Sequence, residues 1–183
     1  MNLYSPSAFL RFAGFICAII LIINACSNKD DASPSAAAIF TKGNIDSILY
    51  VESSAASEQF LPYQNVDSIR PSSAFTAHAD FFKVRLNAKA RSVLGADGRL
   101  PTGKSFPEGS IIVKDLYSEK TGARKLVAIM KKESANPYSN QNWLWTELLG
   151  DGGAYVTVKD KGAQCVNCHS QNSRDFVRVF DLF

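Results

Sequence analysis

Three residues late in the chain form a pattern that is typical of one kind of covalent chemistry. Cys165-Val166-Asn167-Cys168-His169 reads C-x-x-C-H, the attachment pattern of c-type haem. Two thiols three residues apart on a tight turn can reach the two vinyl groups on one edge of a porphyrin and form two thioethers. The adjacent imidazole is then carried beneath the ring, where it can bind iron. The motif predicts haem c bound through Cys165 and Cys168, with His169 as the proximal iron ligand.

The residues alone leave three other uses of these cysteines open. A thioredoxin-like redox pair opens a helix after a strand in a βαβ unit, and no such pattern surrounds Cys165. A zinc site needs about four ligands, and beyond the motif the domain offers His78 and carboxylates. A disulfide between Cys165 and Cys168 would close too small a loop to stabilise much. Haem attachment is favoured because the chain also looks exported.

The N-terminal residues resemble a bacterial export signal. Arg11 is the only charged side chain before the apolar run from Phe12 to Ile23, which is shorter than the roughly 20 residues of a membrane span. The run leads into Ile-Asn-Ala-Cys at residues 23–26, which resembles a lipobox and predicts a lipid on Cys26. A plain anchor helix and a cleaved signal without lipid are the alternatives. All three place the domain outside the cytoplasm, and lipidation predicts a periplasmic protein anchored to a bacterial membrane.

Composition bounds the domain organisation. We expect a signal peptide over residues 1–25, a small and polar tether over 26–38, and one folded domain over 39–183. Hydrophobic residues make up 46% and charged residues 20%, as in ordinary globular proteins. The net charge of +3, without a basic cluster, argues against nucleic acid as a partner.

The domain has the sequence pattern of an α+β fold with a mainly antiparallel β-sheet and packed helices. Asn87 is a good N-cap for a short helix over 88–94 that Gly95 closes. Residues 39–77 are less readable and are interpreted as a helix over the sheet. The predicted strands are apolar or β-branched runs bounded by turn residues, namely Phe81–Leu86, Ser110–Tyr117, Lys125–Lys131, Trp143–Leu148 and Ala154–Val158.

From His78 onward, the order of segments resembles the cytochrome P460 family. The resembling pieces are FFKVRLN with the short helix after it, the turn and strand FPEGSIIVKD over 106–115, NWLW over 142–145, and the late haem motif followed by Asp-Phe-Val at 175–177. The resemblance implies a mainly antiparallel β fold, usually a homodimer, with one haem c and His169 as its proximal ligand. It also implies two possible activities. Members of the P460 type oxidise hydroxylamine and pass electrons to soluble cytochromes, whereas the related cytochromes c′-β bind nitric oxide or carbon monoxide.

Lys114 matches the lysine that, in members of the P460 type, is bonded to a meso carbon of the porphyrin. Strand alternation places it on one face with Ile112 and Leu116, where a charge is unfavourable. An apolar neighbourhood lowers a lysine's pKa and makes its amine nucleophilic. The alternative is an edge lysine that reaches solvent.

The distal side departs from the pattern of the hydroxylamine-oxidising members of the family. The resemblance implies that those members carry a carboxylate in the pocket, on the strand after the lysine strand. An ungapped reading puts Ala128 at that position, so we expect an apolar distal face. Glu147 could supply the acid from elsewhere, although a solvated position at the rim is the more ordinary interpretation. Trp143 and Trp145, on the same strand face as Glu147, are distal-pocket candidates that pack in the core or against haem.

The sixth coordination position is expected to be open. His78 and Met130 are the conventional candidates that composition offers beyond the motif, and we interpret them as a hydrogen-bonding histidine and a packing residue. Three functions follow as hypotheses. They are a P460-type oxidoreductase acting on hydroxylamine or nitric oxide, a gas-binding protein of the c′-β kind, and a tethered monohaem electron carrier.

Overall fold

The computed structural model describes residues 44–54, 59–72, 78 and 80–178. The described residues contain one seven-stranded sheet, with strands β1 (Phe60–Pro62), β2 (Arg70–Pro71), β3 (Phe81–Asn87), β4 (Ile111–Tyr117), β5 (Arg124–Lys132), β6 (Trp143–Leu149) and β7 (Ala154–Val156). The order across the sheet is β1-β3-β4-β5-β6-β7, and β2 also pairs with β3. All of these pairings are antiparallel. The prediction of a mainly antiparallel sheet is confirmed.

The sheet has two apolar faces because side chains alternate along each strand. Ile112 and Val113, adjacent on β4, belong to different buried clusters. The motif face is the one that Cys165 packs against, and the helix face is the one that Leu49 packs against. The motif face includes Phe82, Val84, Ile112, Met130 and Trp145, and the helix face includes Val113, Val127, Ile129, Leu144 and Leu148.

The helix Ile45–Ser53 is fixed to the helix face through its first turn. It begins after Asn44, whose side chain accepts a hydrogen bond from the Asp46 amide at 3.0 Å. The buried Asp46 carboxylate accepts a hydrogen bond from the Thr146 hydroxyl at 3.1 Å and one from the Val158 amide at 2.8 Å. One buried charge therefore joins this helix to β6 and to the segment after β7.

A second buried carboxylate lies on the helix face. Asp115 of β4 is bound by the Arg85 guanidinium, at 2.7 and 3.2 Å, and by the Arg124 guanidinium at 3.1 Å. Arg85 also donates to the Ser53 carbonyl at the end of the helix Ile45–Ser53. The pair Arg85–Asp115 is thus a structural ion pair on the face opposite the haem motif.

Two predicted elements end earlier than expected. The helix after Asn87 spans Ala88–Arg91, because the Ser92 hydroxyl donates to the Lys89 carbonyl and competes with the helical hydrogen bonds. The last strand ends at Val156, because the Thr157 hydroxyl accepts from the Lys159 amide and begins a 3₁₀ turn at Val158–Asp160. The Asn87 cap is confirmed, since its side chain accepts from the Ala90 amide at 2.9 Å.

The region read as a helix contains more than a helix. It holds the helix Ile45–Ser53 together with β1 and β2, which are too short to carry an alternating pattern. The predicted signal peptide, the lipidation site at Cys26 and the tether lie outside the described residues. In the part of the chain that is described, no helix has the length and apolar character needed to cross a bilayer.

Candidate functional site

The haem motif forms a single helical turn over the motif face. The helix Val166–His169 begins after Cys165, and its backbone closes with a hydrogen bond of 3.0 Å from the His169 amide to the Cys165 carbonyl. Residues three and four apart lie on the same side of a helix. One turn of backbone therefore brings Cys165, Cys168 and His169 to one side, and neither cysteine is in a disulfide.

A glycine lets this turn approach the sheet closely. Gly162 has a φ of +62°, and a Cβ built there would lie only 2.5 Å from Cδ1 of Trp145. The Trp145 indole is fixed in turn, because its Nε1 donates to the Asn140 carbonyl at 3.0 Å. The backbone before the motif thus rests directly on the Trp145 ring.

The imidazole of His169 is held in one orientation. Its Nδ1 lies 2.8 Å from the Phe176 carbonyl oxygen, and its ring makes an edge contact with Trp145 at 5.1 Å between centroids. A carbonyl can only accept, so Nδ1 carries the proton and Nε2 keeps its lone pair. Burial lowers the pKa of His169 to about 4, against a smaller opposing effect of the Phe176 carbonyl. The ring is therefore neutral near pH 7 and able to bind iron.

The two cysteines differ in their surroundings. Burial raises the pKa of the Cys165 thiol to about 11, and the carboxylates of Glu147 and Asp160 act in the same direction. Cys168 is exposed, and its sulfur accepts a hydrogen bond from the Arg178 guanidinium at 2.9 Å. The His169 imidazole and the Cys165 thiol are thus both uncharged near pH 7.

A cavity of about 460 Å³ lies between the motif and the sheet, a usual size for a ligand pocket. It is mostly apolar where it meets the sheet. The strand residues that line it include Phe82, Val84, Ile112, Lys114, Ala128, Met130, Trp145, Glu147 and Val156, and the motif supplies Cys165, Cys168 and His169.

One row of side chains crosses the cavity wall from strand to strand. Val84 pairs with Lys114, Lys114 with Ala128, Ala128 with Glu147, and Glu147 with Val156. Because neighbouring strands lie about 4.8 Å apart, Lys114 and Glu147 stand about 10 Å apart on either side of Ala128. The small side chain of Ala128 therefore lies between a lysine and a glutamate on the cavity wall.

Lys114 lies in an environment that favours its neutral form. Burial lowers its pKa from the usual 10.5 to about 8, although the negative charge of Glu147 partly opposes this. Its ammonium also lies over the Phe82 ring, 4.6 Å from the centroid. The side chain points into the cavity wall, as strand alternation predicts, and is not an edge lysine in solvent.

Glu147 lies inside the cavity, and the interpretation that places it in solvent at the rim is wrong. Its side chain is 16% exposed, and Oε1 accepts a hydrogen bond from Nδ1 of His78 at 3.0 Å. His78 is itself 22% exposed, and its ring centroid lies 6.3 Å from that of His169. The cavity therefore holds a carboxylate and a second histidine on the side of the sheet.

The remaining candidates from the sequence occupy different positions. Ala128, Met130 and Trp145 line the cavity. Trp143 is fully buried beside it, in edge contact with Phe106 and under the ammonium of Lys132, and is not among the lining residues. Sequence reasoning did not anticipate the row that joins Lys114 to Glu147, because the register of β5 with β6 has no local signal.

A larger groove of about 710 Å³ lies elsewhere on the surface. It contains none of the C-x-x-C-H residues, and its lining is polar. Chemistry rather than volume therefore identifies the smaller cavity as the candidate site. The groove is lined by Thr102, Gly103, Lys104, Ser105, Asn172, Ser173, Arg174 and Asp175.

An antiparallel sheet forms one wall of the cavity and a C-x-x-C-H turn forms the other, an arrangement suited to a haem-binding β protein. A sequence model of the family Cytochrome P460 matches residues 63–179. The chain belongs to the cytochrome P460 family, and this membership implies a haem cofactor with its iron. No curated protein sequence matches the chain.

Replacing Gly162 with alanine should impair haem incorporation. Alanine at a positive φ costs about 1 kcal/mol, and at this position the new methyl group would also displace the Trp145 ring. Gly103 is the matched control, because its φ is +75° and nothing lies within 4 Å of the added methyl group. We expect Gly162→Ala to lower haem content per chain and thermal stability well below those of Gly103→Ala. Equal values for the two variants would contradict the close approach.

Lys114 should make the haem-free protein more stable as pH rises. Its pKa is about 8 when folded and 10.5 in its ordinary state, so between these values the unfolded chain binds the extra proton. The free energy of unfolding then increases with pH, by on the order of 3 kcal/mol over the whole window. In a Cys165→Ala/Cys168→Ala background, Lys114→Met should remove this rise. Urea unfolding from about pH 7 to 10 measures the difference, and parallel curves would refute it.

Proposed function

We propose that this protein is a c-type haem oxidoreductase of the P460 kind that acts on hydroxylamine or nitric oxide. The observation that carries the proposal is the convergence of Lys114, Glu147 and His169 on one cavity with the two cysteines of the motif. The donors fit the group. Two thiols and a neutral imidazole stand on one wall, and an apolar surface that includes Phe82, Val84 and Ile112 forms the other. Bound haem would supply a redox-active iron.

The position of Lys114 supports a covalent link to the porphyrin. A pKa of about 8 leaves an appreciable share of the amine unprotonated near neutral pH, which a nucleophile requires. The side chain also lies on the cavity wall across from the motif rather than at the rim. We therefore propose that haem is held at three points, through Cys165, Cys168 and Lys114.

Glu147 is suited to accept a proton from a small substrate. Its carboxylate lines the cavity beside Ala128, and the cavity is large enough for a molecule of the size of hydroxylamine or nitric oxide. His78 donates to one of its oxygens and orients the carboxylate. This arrangement supports proton-coupled oxidation more strongly than the apolar distal side expected from Ala128 alone.

A gas-binding role of the c′-β kind is the second candidate. It is favoured by the apolar part of the lining, where Phe82, Val84 and Ile112 provide no hydrogen bond to a bound ligand. A tethered electron carrier is the third candidate, and the size of the cavity favours it least. The distinction between the first two rests on whether Glu147 takes part in turnover.

The cellular setting is proposed from the sequence. We propose a lipoprotein cleaved before Cys26 and anchored by its lipid on the periplasmic side of a bacterial membrane, with residues 26–38 as the tether of a domain over 39–183. A homodimer and a soluble cytochrome c as electron acceptor complete the proposal. Both come from the resemblance to the family.

Replacing Lys114 with leucine should change the spectrum without releasing haem. If the link exists, the reduced wild type has a strongly red-shifted Soret band, and Lys114→Leu has an ordinary c-type spectrum with haem still attached. Lys83→Leu, on the opposite face of neighbouring β3, is the control and should match the wild type. Cys165→Ala/Cys168→Ala should lose the haem stain on a denaturing gel. Identical spectra and haem-peptide masses for wild type and Lys114→Leu would rule out the link.

Replacing Glu147 with glutamine should separate turnover from binding. Glutamine keeps the shape and cannot accept a proton, so we expect hydroxylamine oxidation to fall by about 10² to 10⁴ in kcat. Nitric oxide binding should stay close to that of the wild type. Glu133→Gln is the matched control, since Glu133 is an ion-paired carboxylate that does not line the cavity. Unchanged turnover in Glu147→Gln, or a wild type with no turnover, would favour the gas-binding role.

A further inference from the structure

A buried ion pair joins the end of β5 to the segment that follows the C-x-x-C-H motif. The Lys132 ammonium, at the end of β5, lies 2.7 and 2.9 Å from the two carboxylate oxygens of Asp175. The side chains are 6% and 9% exposed, and the same carboxylate accepts a hydrogen bond from the Phe106 amide at 2.8 Å. Burying two charges gains little stability over apolar packing, so a pair of this kind needs another explanation.

The pair holds one end of a strained turn. Arg174 and Val177 exchange backbone hydrogen bonds of 3.1 and 3.0 Å, and the two residues between them, Asp175 and Phe176, have φ values of 52° and 64°. Two successive positive φ angles define a type I′ turn, which Asn-Gly normally fills. Phe176 has no intrinsic preference for this conformation, so tertiary contacts must maintain it.

The turn presents its carbonyl to the proximal histidine. The Phe176 oxygen accepts from Nδ1 of His169 at 2.8 Å, and the Phe176 ring lies 6.5 Å from that of Trp145, which also contacts His169. A hydrogen bond at the second ring nitrogen fixes the orientation of a metal-binding imidazole and increases its basicity.

We propose that the Lys132–Asp175 pair positions His169 for iron by holding this turn. Lys132 and Asp175 are positioning residues, since neither lines the cavity. The inference rests on the proposed role of His169 as the axial ligand. It adds a series of contacts that runs from the end of β5 through the turn to the imidazole. These contacts set the strength of the iron–histidine bond.

The test removes both charges together, so that neither is left unpaired. In Lys132→Met/Asp175→Asn holoprotein, the Nδ1 hydrogen bond should weaken and the imidazole should donate less electron density. The ferrous iron–histidine stretching band should then shift to lower frequency, and the reduction potential should rise. Lys131→Met/Glu52→Gln is the matched control, because it removes an ion pair at the neighbouring residue of β5, on the opposite face of the sheet. It should leave the band and the potential unchanged, whatever stability it loses.

A rescue variant distinguishes the effect of the turn's conformation on His169 from the effect of removing the two charges. Adding Phe176→Gly to the double variant creates Asn-Gly, which forms a type I′ turn without help. This triple variant should return the band toward the wild-type frequency. Should the double variant yield no soluble holoprotein, Asp175→Asn alone keeps an acceptor for the Phe106 amide and should give a smaller shift in the same direction.

Three results would overturn the proposal. The first is an iron–histidine band and a reduction potential in the charge-removed variants that equal those of the wild type. The second is a band shift in the control as large as that in the double variant. The third is a band in the rescue variant that does not return toward the wild-type frequency. A wild type without covalent haem would overturn the proposed function, and this inference with it. If haem is attached normally in the wild type and in the double variant, but the iron–histidine band of the double variant does not shift, this inference alone is overturned.

Discussion

The register of β4 against its neighbours is the constraint on which the site depends. Lys114 and Asp115 are adjacent residues of opposite charge, and the pleat sends them to opposite faces of the sheet. Asp115 meets two guanidinium groups on the helix face, while Lys114 meets the cavity. A slip by one residue would bring the lysine beside Arg85 and Arg124 and place a carboxylate in the cavity. Electrostatics on the helix face therefore secures the position of the amine on the motif face.

Burial has one effect on three different groups. It disfavours charge, so it lowers the pKa of the Lys114 amine and the His169 imidazole and raises that of the Cys165 thiol. All three shifts favour the neutral form of the group, as expected for side chains that line a mostly apolar cavity. Glu147 differs in having a hydrogen bond from His78, so its oxygens have a polar partner within the same apolar wall. The cavity thus combines groups that favour their neutral forms with one oriented carboxylate and the Arg178 guanidinium.

The parts that could be predicted from the sequence are the local ones. C-x-x-C-H lies within five consecutive residues, and β4 and β5 show their strand composition directly. The position of Glu147 beside Ala128 depends on how β6 pairs with β5, and no short segment encodes that pairing. The turn at Asp175 and Phe176 has no clear local signal either, because Phe176 does not favour positive φ and the partner of Asp175, Lys132, is 43 residues away. Strand pairing and turn conformation at these positions depend on residues that are distant in the sequence, and composition gives no information about which residues those are.

The order of the elements along the chain has a consequence for assembly. Strands β3 to β6 are linked as successive antiparallel neighbours, so the sheet can form from contacts that are close in sequence. The segment that covers the motif face comes last, and it docks through the close approach of Gly162 to Trp145 and through Asp175 on Lys132. Until it docks, the apolar side chains of Phe82, Val84 and Ile112 on the motif face are uncovered. Because the same segment carries both thiols, attachment of haem to them would be coupled to closure of the core.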